Sequence, residues 1–208
     1  MTPKRFSPSF RMALLAAAVT SATLLGACAP LIIGGAMVGT ALSVTDRRTS
    51  GAQVEDQAIE LKAVARLRET VPAEANVSVT SYNRTVLLTG EAPTEAARAA
   101  AEQTVARIDN VRATVNELAV MGSTSVSARS NDSILTSKVK AAFVDAKDLQ
   151  ANALKVITER GTVYLMGRVT EREANRAAEI ARATSGVGKV VKVFETITEA
   201  ELAALQSK

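Results

Sequence analysis

From residue 54 onward the apolar positions change period, and the whole series of changes then recurs. Ile59, Ala63 and Leu67 fall four apart, which predicts a helix. Val77 and Val79 alternate with Ser78 and Thr80, and Val86 and Leu88 share a face on the next run, so two short strands follow. Asn83-Arg84 between them reads as a tight hairpin turn. A second helix is expected over about 94–108 and a third strand over about 112–120. The same order returns 76 or 77 residues later. Leu135, Val139 and Phe143 open it, Thr162-Val163-Tyr164-Leu165-Met166-Gly167 matches Thr85-Val86-Leu87-Leu88-Thr89-Gly90, a helix is expected over about 171–184, and a strand closes it over about 189–197. Asp56 and Asp132 read as N-caps for the opening helices. Gly90 and Gly167 are expected to end their strands as structural turn residues, through positive φ or close backbone approach. A period this long predicts a duplicated small domain. The fold class is α+β: two tandem αββαβ units, each with two helices on one face of a three-stranded mixed sheet.

Ahead of the repeat the pattern is different. Lys4, Arg5 and Arg11 precede the apolar stretch Met12–Leu25, which is of signal-peptide length and too short to span a bilayer. Leu25-Gly26-Ala27-Cys28 ends it with the chain's single cysteine. This resembles the lipobox of bacterial lipoproteins, which implies a diacylated Cys28 as mature N-terminus, acylated once more after cleavage. An ordinary cleaved signal peptide is the alternative. Residues 1–27 hold three basic and no acidic side chains, so cleavage lowers the net charge from +4 to +1, and the basic balance of the full chain argues for no nucleic acid. Pro30-Leu31-Ile32-Ile33-Gly34-Gly35-Ala36-Met37-Val38-Gly39 continues as an apolar tether, lying either beside the acyl chains or on the folded domain. Ala29 stands where enterobacterial lipoproteins kept in the inner membrane carry aspartate, so that sorting rule implies the periplasmic face of the outer membrane. The expected organisation is a signal peptide (1–27), acylated N-terminus and tether (28–53), first domain (54–120), linker (121–130), second domain (131–197) and C-terminal tail (198–208).

The αββαβ order, the Thr-Val-x-Leu-x-Gly strand and the Val-rich closing strand resemble the BON domain. With the lipobox, the apolar leash and Thr45-Asp46-Arg47-Arg48-Thr49, the chain is similar to the dual-BON outer-membrane lipoproteins, a family that includes a phospholipid-binding member associated with division and envelope stress. The resemblance implies binding of anionic phospholipid (phosphatidylglycerol or cardiolipin) through the second domain, in support of envelope integrity.

Enzyme chemistry finds little footing. Histidine, the commonest general base and metal ligand, is absent, and an acylated cysteine is neither nucleophile nor ligand. No catalytic residue, metal or cofactor is expected. Glu171 and Glu173 read as carboxylates favouring the positive end of a helix. Charge separates the two units: residues 54–120 carry 7 basic and 10 acidic side chains, residues 131–197 carry 11 and 8. The basic unit is the better match to an anionic surface. Its opening helix offers a candidate lipid site in Ser133, Ile134, Ser137, Lys138 and Lys140, with Ile134 dipping into the headgroup layer and the lysines meeting phosphates. The alternative places Ile134 in the core and the lysines on a solvated face. A second functional class, a periplasmic protein–protein adaptor whose anchor supplies only location, stays open, with envelope proteins as partners and the two oppositely charged units facing different proteins or each other.

Overall fold

Thr49 starts the first helix: its hydroxyl accepts the Ala52 N–H at 3.1 Å, and α1 runs Ser50–Thr70. The computed structural model describes residues 46–122 and 124–206; the signal peptide, Cys28 and the apolar tether lie outside the described residues. After α1 come β1 (Asn76–Tyr82), β2 (Thr85–Ala92), α2 (Glu95–Ala106), β3 (Ala113–Asn116) and β4 (Ala119–Val120). The second unit has α3 (Val126–Asp145), a 3-10 turn (Ala151–Ala153), β5 (Leu154–Glu159), β6 (Thr162–Val169), α4 (Glu171–Ala183) and β7 (Lys189–Thr196), and α5 (Glu199–Gln206) follows. Each unit is αββαβ. In each, the middle strand pairs antiparallel with its hairpin partner and parallel with the closing strand, giving mixed sheets.

Four expectations change. Asp56 and Asp132 are not caps. The helices begin about two turns earlier, on Thr49 and on Ser125, whose hydroxyl accepts the Ala128 N–H at 3.3 Å, so half of the expected linker is helix. The two aspartates are buried in mid-helix and hold the hairpins instead. Asp56 accepts the N–H groups of Asn83 and Arg84, each at 2.7 Å, and Asp132 those of Arg160 and Gly161, each at 2.8 Å. All four turn residues have positive φ, as a two-residue hairpin of this hand requires. The carboxylates thus satisfy adjacent turn amides that face the helix. Second, Gly90 and Gly167 lie inside β2 and β6, two residues short of the strand ends, and are not turn residues. A Cβ on Gly90 would fall 2.0 Å from the Asn76 carbonyl oxygen, and one on Gly167 2.5 Å from that of Ala153, so glycine admits the start of the neighbouring segment. Third, the closing strand of the first unit is broken, because Leu118 turns into the core and the Asn116 side-chain oxygen takes its N–H. Fourth, the expected tether, ending at residue 53, runs into α1.

The cores are mostly aliphatic. Ile59, Leu67, Val86, Leu88 and Val105 fill the first unit, and Val139, Phe143, Val163, Leu165 and Ala177 the second. The central strands are buried on both faces. Leu87 and Tyr82 of the first sheet pack against Tyr164 and Met166 of the second, with Val115, Ile157, Val191 and Val193 around them. The two sheets therefore stand face to face and the helices form the two outer layers. Burying each of these large side chains contributes about 1.5–3 kcal/mol. Burial pushes the Tyr82 and Tyr164 phenols up to about 12.

Polar contacts frame this joint with a rough two-fold logic. At one end Arg160, on the hairpin of the second unit, donates to the Gly90 carbonyl (2.8 Å) and to Glu91 (3.0 Å). At the other, Asn83 on the hairpin of the first unit donates to Glu195 beside Arg168. Lys155 reaches Glu60 and the Ser81 carbonyl, both at 3.3 Å.

Candidate functional site

Helix α3 faces its own sheet with Leu135, Val139 and Phe143, and the 3.6-residue period turns the intervening positions outward. The outer layer carries Ser133, Ile134, Ser137 and Val144. Ile134 is 55% exposed and Val144 71%. Of the two readings of Ile134, the geometry is the exposed one.

Ile134 and Lys138, one turn apart, line a recess of about 380 Å³ whose far wall is the Arg160-Gly161 hairpin and Ser185-Gly186. Asp132 lies at its base, its carboxylate committed to the hairpin amides. Arg160 points its guanidinium across the joint to Glu91, so the cation left to the recess is Lys138, which has no ion-pair partner among the described residues. Lys138 also borders a shallower groove of about 550 Å³ between α3 and α4, floored by Ala142, Ile180 and Ala183.

Lys140 is not brought to this place. Two residues further round the helix, it lines a separate hollow with Phe143, Val144 and Leu154. One headgroup cannot engage both lysines, whereas an extended anionic surface can. Ser133 and Ser137 turn their hydroxyls back onto the helix, donating to the carbonyls of Arg129 (3.1 Å) and Ser133 (3.0 Å). Their donors are therefore in use, and they serve a ligand only as acceptors.

The charge difference between the units is partly consumed at the joint. Glu60, Glu91 and Glu195 take Lys155, Arg160 and Arg112 across it. Glu91 is fully buried and also accepts from Asn76 and Thr124. Burial pushes its carboxyl up, but these hydrogen bonds outweigh that and leave it below the ordinary glutamate value. Glu173 behaves the same way at the start of α4. Burial raises it, while the bonds from Arg47 and the Thr170 N–H bring it below its usual range. It completes a capping box with Thr170. The paired carboxylates expected at this helix start thus part company, Glu173 being buried while Glu171 is exposed.

Sequence reasoning passed over the partners of Arg47 and Arg48. Arg47 is 7% exposed and grips Glu173, while Arg48 binds Asp56 at 2.8 Å and lies 4.2 Å over the Tyr82 ring. Two adjacent arginines just before a helix, followed eight residues on by the aspartate of a hairpin, were the available signal.

Two αββαβ units joined through their sheets, with oppositely charged contacts across the joint and one helix of each unit left outward, define a double-module α+β protein. The chain belongs to the BON-domain family: the BON domain model matches residues 55–122 and 131–198. It is 38% identical over 192 residues to the outer membrane lipoprotein DolP of Haemophilus influenzae, covering 91% of this chain and 97% of that protein. A 21 kDa hemolysin of Actinobacillus pleuropneumoniae is 35% identical over 154 residues, covering 73% and 79%. Neither bears an enzyme's name. These matches place the chain among the dual BON-domain lipoproteins and support an outer-membrane location. CdsD, a structural protein of the type III secretion system of Chlamydia trachomatis, aligns over 71% of this chain and 97% of its own at 9% identity and a TM-score of 0.29, too slight a likeness to bear on function. Among the described residues no helix is long and apolar enough to cross a membrane.

Proposed function

We propose that this chain is a non-enzymatic lipoprotein, acylated at Cys28, that faces the periplasm from the outer membrane and binds anionic phospholipid through α3 of its second BON domain, in support of envelope integrity. The observation that carries this reading is the exposed Ile134 beside Lys138 at the mouth of a recess on an outer helix layer. An apolar side chain enters the interfacial region while a lysine near an anionic surface contributes about 1 kcal/mol. Lys140, on the other flank of the helix, adds to attraction by a charged surface and not to recognition of one headgroup.

The test is co-sedimentation of residues 41–208, which form one compact unit, with vesicles of phosphatidylglycerol or cardiolipin in phosphatidylcholine. Starting at residue 41 keeps Arg47, Arg48 and the Thr49 cap in the fragment. Binding to anionic vesicles that falls with salt, and is lost from phosphatidylcholine alone, is the expected result. No binding to pure lipid would sink the reading and favour the adaptor, for which the anchor supplies only location.

A further inference from the structure

We propose that Asp46-Arg47-Arg48 is a two-sided positioning staple, which fixes the point where the leash leaves the folded body and holds the two BON domains in one relative orientation. The inference as it concerns the leash rests on the acylated-Cys28 reading.

Arg47 and Arg48 are neighbours in the chain, and their side chains go to different domains. The Arg47 guanidinium meets the Glu173 carboxylate through two parallel bonds of 2.7 Å, and donates further to the Arg168 carbonyl (2.8 Å) and to Gln150 (3.1 Å). Arg168 returns a bond to the Arg47 carbonyl at 3.1 Å. All of these partners belong to the second domain. Arg48 binds Asp56 of the first domain and stacks on Tyr82, while Asp46 braces it through both Nε and Nη2. The fork-to-fork pairing of Arg47 with Glu173 is directional as well as charged. Both side chains of that pair are nearly inaccessible, with 5% and 6% of their surface exposed, so separating them strands a charge out of water.

The groups gripped are themselves structural keystones. Asp56 closes the β1–β2 hairpin, and Glu173 caps α4. A pull on the leash is therefore resisted by both domains, not by the start of one helix alone. Cys28 lies 18 residues upstream of Asp46 in the chain, so the staple stands at the point where the tether of an acylated chain joins the body. Without the staple that point would be free to swing, and the joint would rest on the sheet contacts and the remaining polar pairs.

Trypsin tests this directly, since it cuts after Arg47 and Arg48. Glu173→Gln keeps an acceptor for the Thr170 N–H and removes the ion pair. On residues 41–208 the wild type should resist cleavage after these two arginines under folding conditions, and E173Q should be cut there at least tenfold faster with unchanged circular dichroism. Arg48→Lys preserves the charge and the cleavage site while losing the planar stack, and it should fall between the two. Rapid cleavage in the wild type, or equal rates in all three, overturns the proposal. The full acylated chain in vesicles supplies a second readout. A spin label at Val144 and another at Leu61, both exposed, should differ in relaxation by headgroup-bound nickel in the wild type and converge in E173Q. Equal relaxation at the two positions in the wild type also overturns the positioning role. A wild type that fails to stay with the vesicles reports against acylation, while the trypsin result, which needs no lipid, decides on the staple.

Discussion

The first and second BON domains share strand order, hairpin geometry and the aspartate that holds each hairpin, yet they treat their outer helices differently. On α1 the pole away from the core carries Val54, Leu61 and Val64, which are 66%, 74% and 38% exposed. On α3 the corresponding face carries two serines, Ile134 and a lysine on each flank. Because the sheets pack face to face, these helices belong to opposite outer layers. A bilayer meeting α3 leaves α1 on the far side. The difference in net charge misleads if read alone: several of the opposed charges meet at the joint, so the repeat units are complementary to each other before either is complementary to a ligand. What distinguishes the domains on their outer surfaces is the residue pattern on the outward helix.

The comparison is broken most severely at its shared glycines. Gly90 sits at φ +109°, and an added Cβ would fall 2.0 Å from a backbone oxygen; Gly167 is nearly extended, with the corresponding approach at 2.5 Å. Gly90→Ala should cost about 3 kcal/mol or more, combining conformational strain with displacement of β1, and Gly167→Ala distinctly less. Urea titration of each variant measures the difference. Equal costs would show that the close approach alone, not the backbone conformation, selects glycine.

Acid should come next. Asp56 and Glu91 in the first domain and Glu173 in the second all have carboxyls held below their ordinary values: burial opposes ionisation in each, and hydrogen bonds to the charged form prevail. A depressed folded value means stability that is present above the unfolded value, about 4, and lost as pH falls through the folded one. Thermal melts should therefore hold near neutrality and decline progressively below about pH 4.5. Because Glu91 and Glu173 sit at the joint and the staple, separation of the domains should accompany that decline. Small-angle scattering across the same pH series checks it.

Much of this architecture was legible in the sequence. The recurrence of Thr-Val-x-Leu-x-Gly located β2 and β6, and the spacing of Leu135, Val139 and Phe143 assigned the buried face of α3. The misses have physical causes. A buried aspartate inside a helix and one at an N-cap look alike in one dimension, because both sit near apolar residues at helical spacing; only the fold shows that the turn amides of residues 83–84 and 160–161 face it. The alternation of Val86 and Leu88 gave one buried face of the central strand, while the unbroken runs Val86-Leu87-Leu88 and Val163-Tyr164-Leu165-Met166, which mark burial on both faces, went unread. Nothing local says that each sheet is covered by the other. The roles of Arg47 and Arg48 depend on partners as many as 126 residues away, beyond any local pattern.

A finer comparison uses the repeat itself. Lys62 of α1 aligns with Lys138 of α3 at the 76-residue offset. Reversing Lys138 to glutamate should weaken binding to anionic vesicles about tenfold at low salt, since two units of charge change near the surface at about 1 kcal/mol each, less screening. Lys62→Glu should leave binding unchanged, because its helix is in the opposite layer. A loss of equal size in both variants would mean that net charge, not the α3 face, drives association.

The smallest effect is expected where the second domain departs from the first at one aligned position. Tyr82 ends β1 and stacks under Arg48; 77 residues on, Glu159 ends β5 with 13% of its side chain exposed. Burial raises its carboxyl above the ordinary value, and the nearby charge of Glu91 pushes the same way, with Arg160 opposing only in part. A carboxyl with a raised folded value penalises the native state when ionised. That penalty is complete above the folded value and absent below the unfolded one. Glu159→Gln should accordingly stabilise the protein at pH 7 by about 0.5–1 kcal/mol, the lower part of what a single charge optimisation yields, with the gain fading as pH falls towards 4. A urea series at pH 7 and pH 4 reads both values. A gain that persists undiminished at pH 4 would show that packing, not ionisation, is what glutamate spoils at this end of the hairpin.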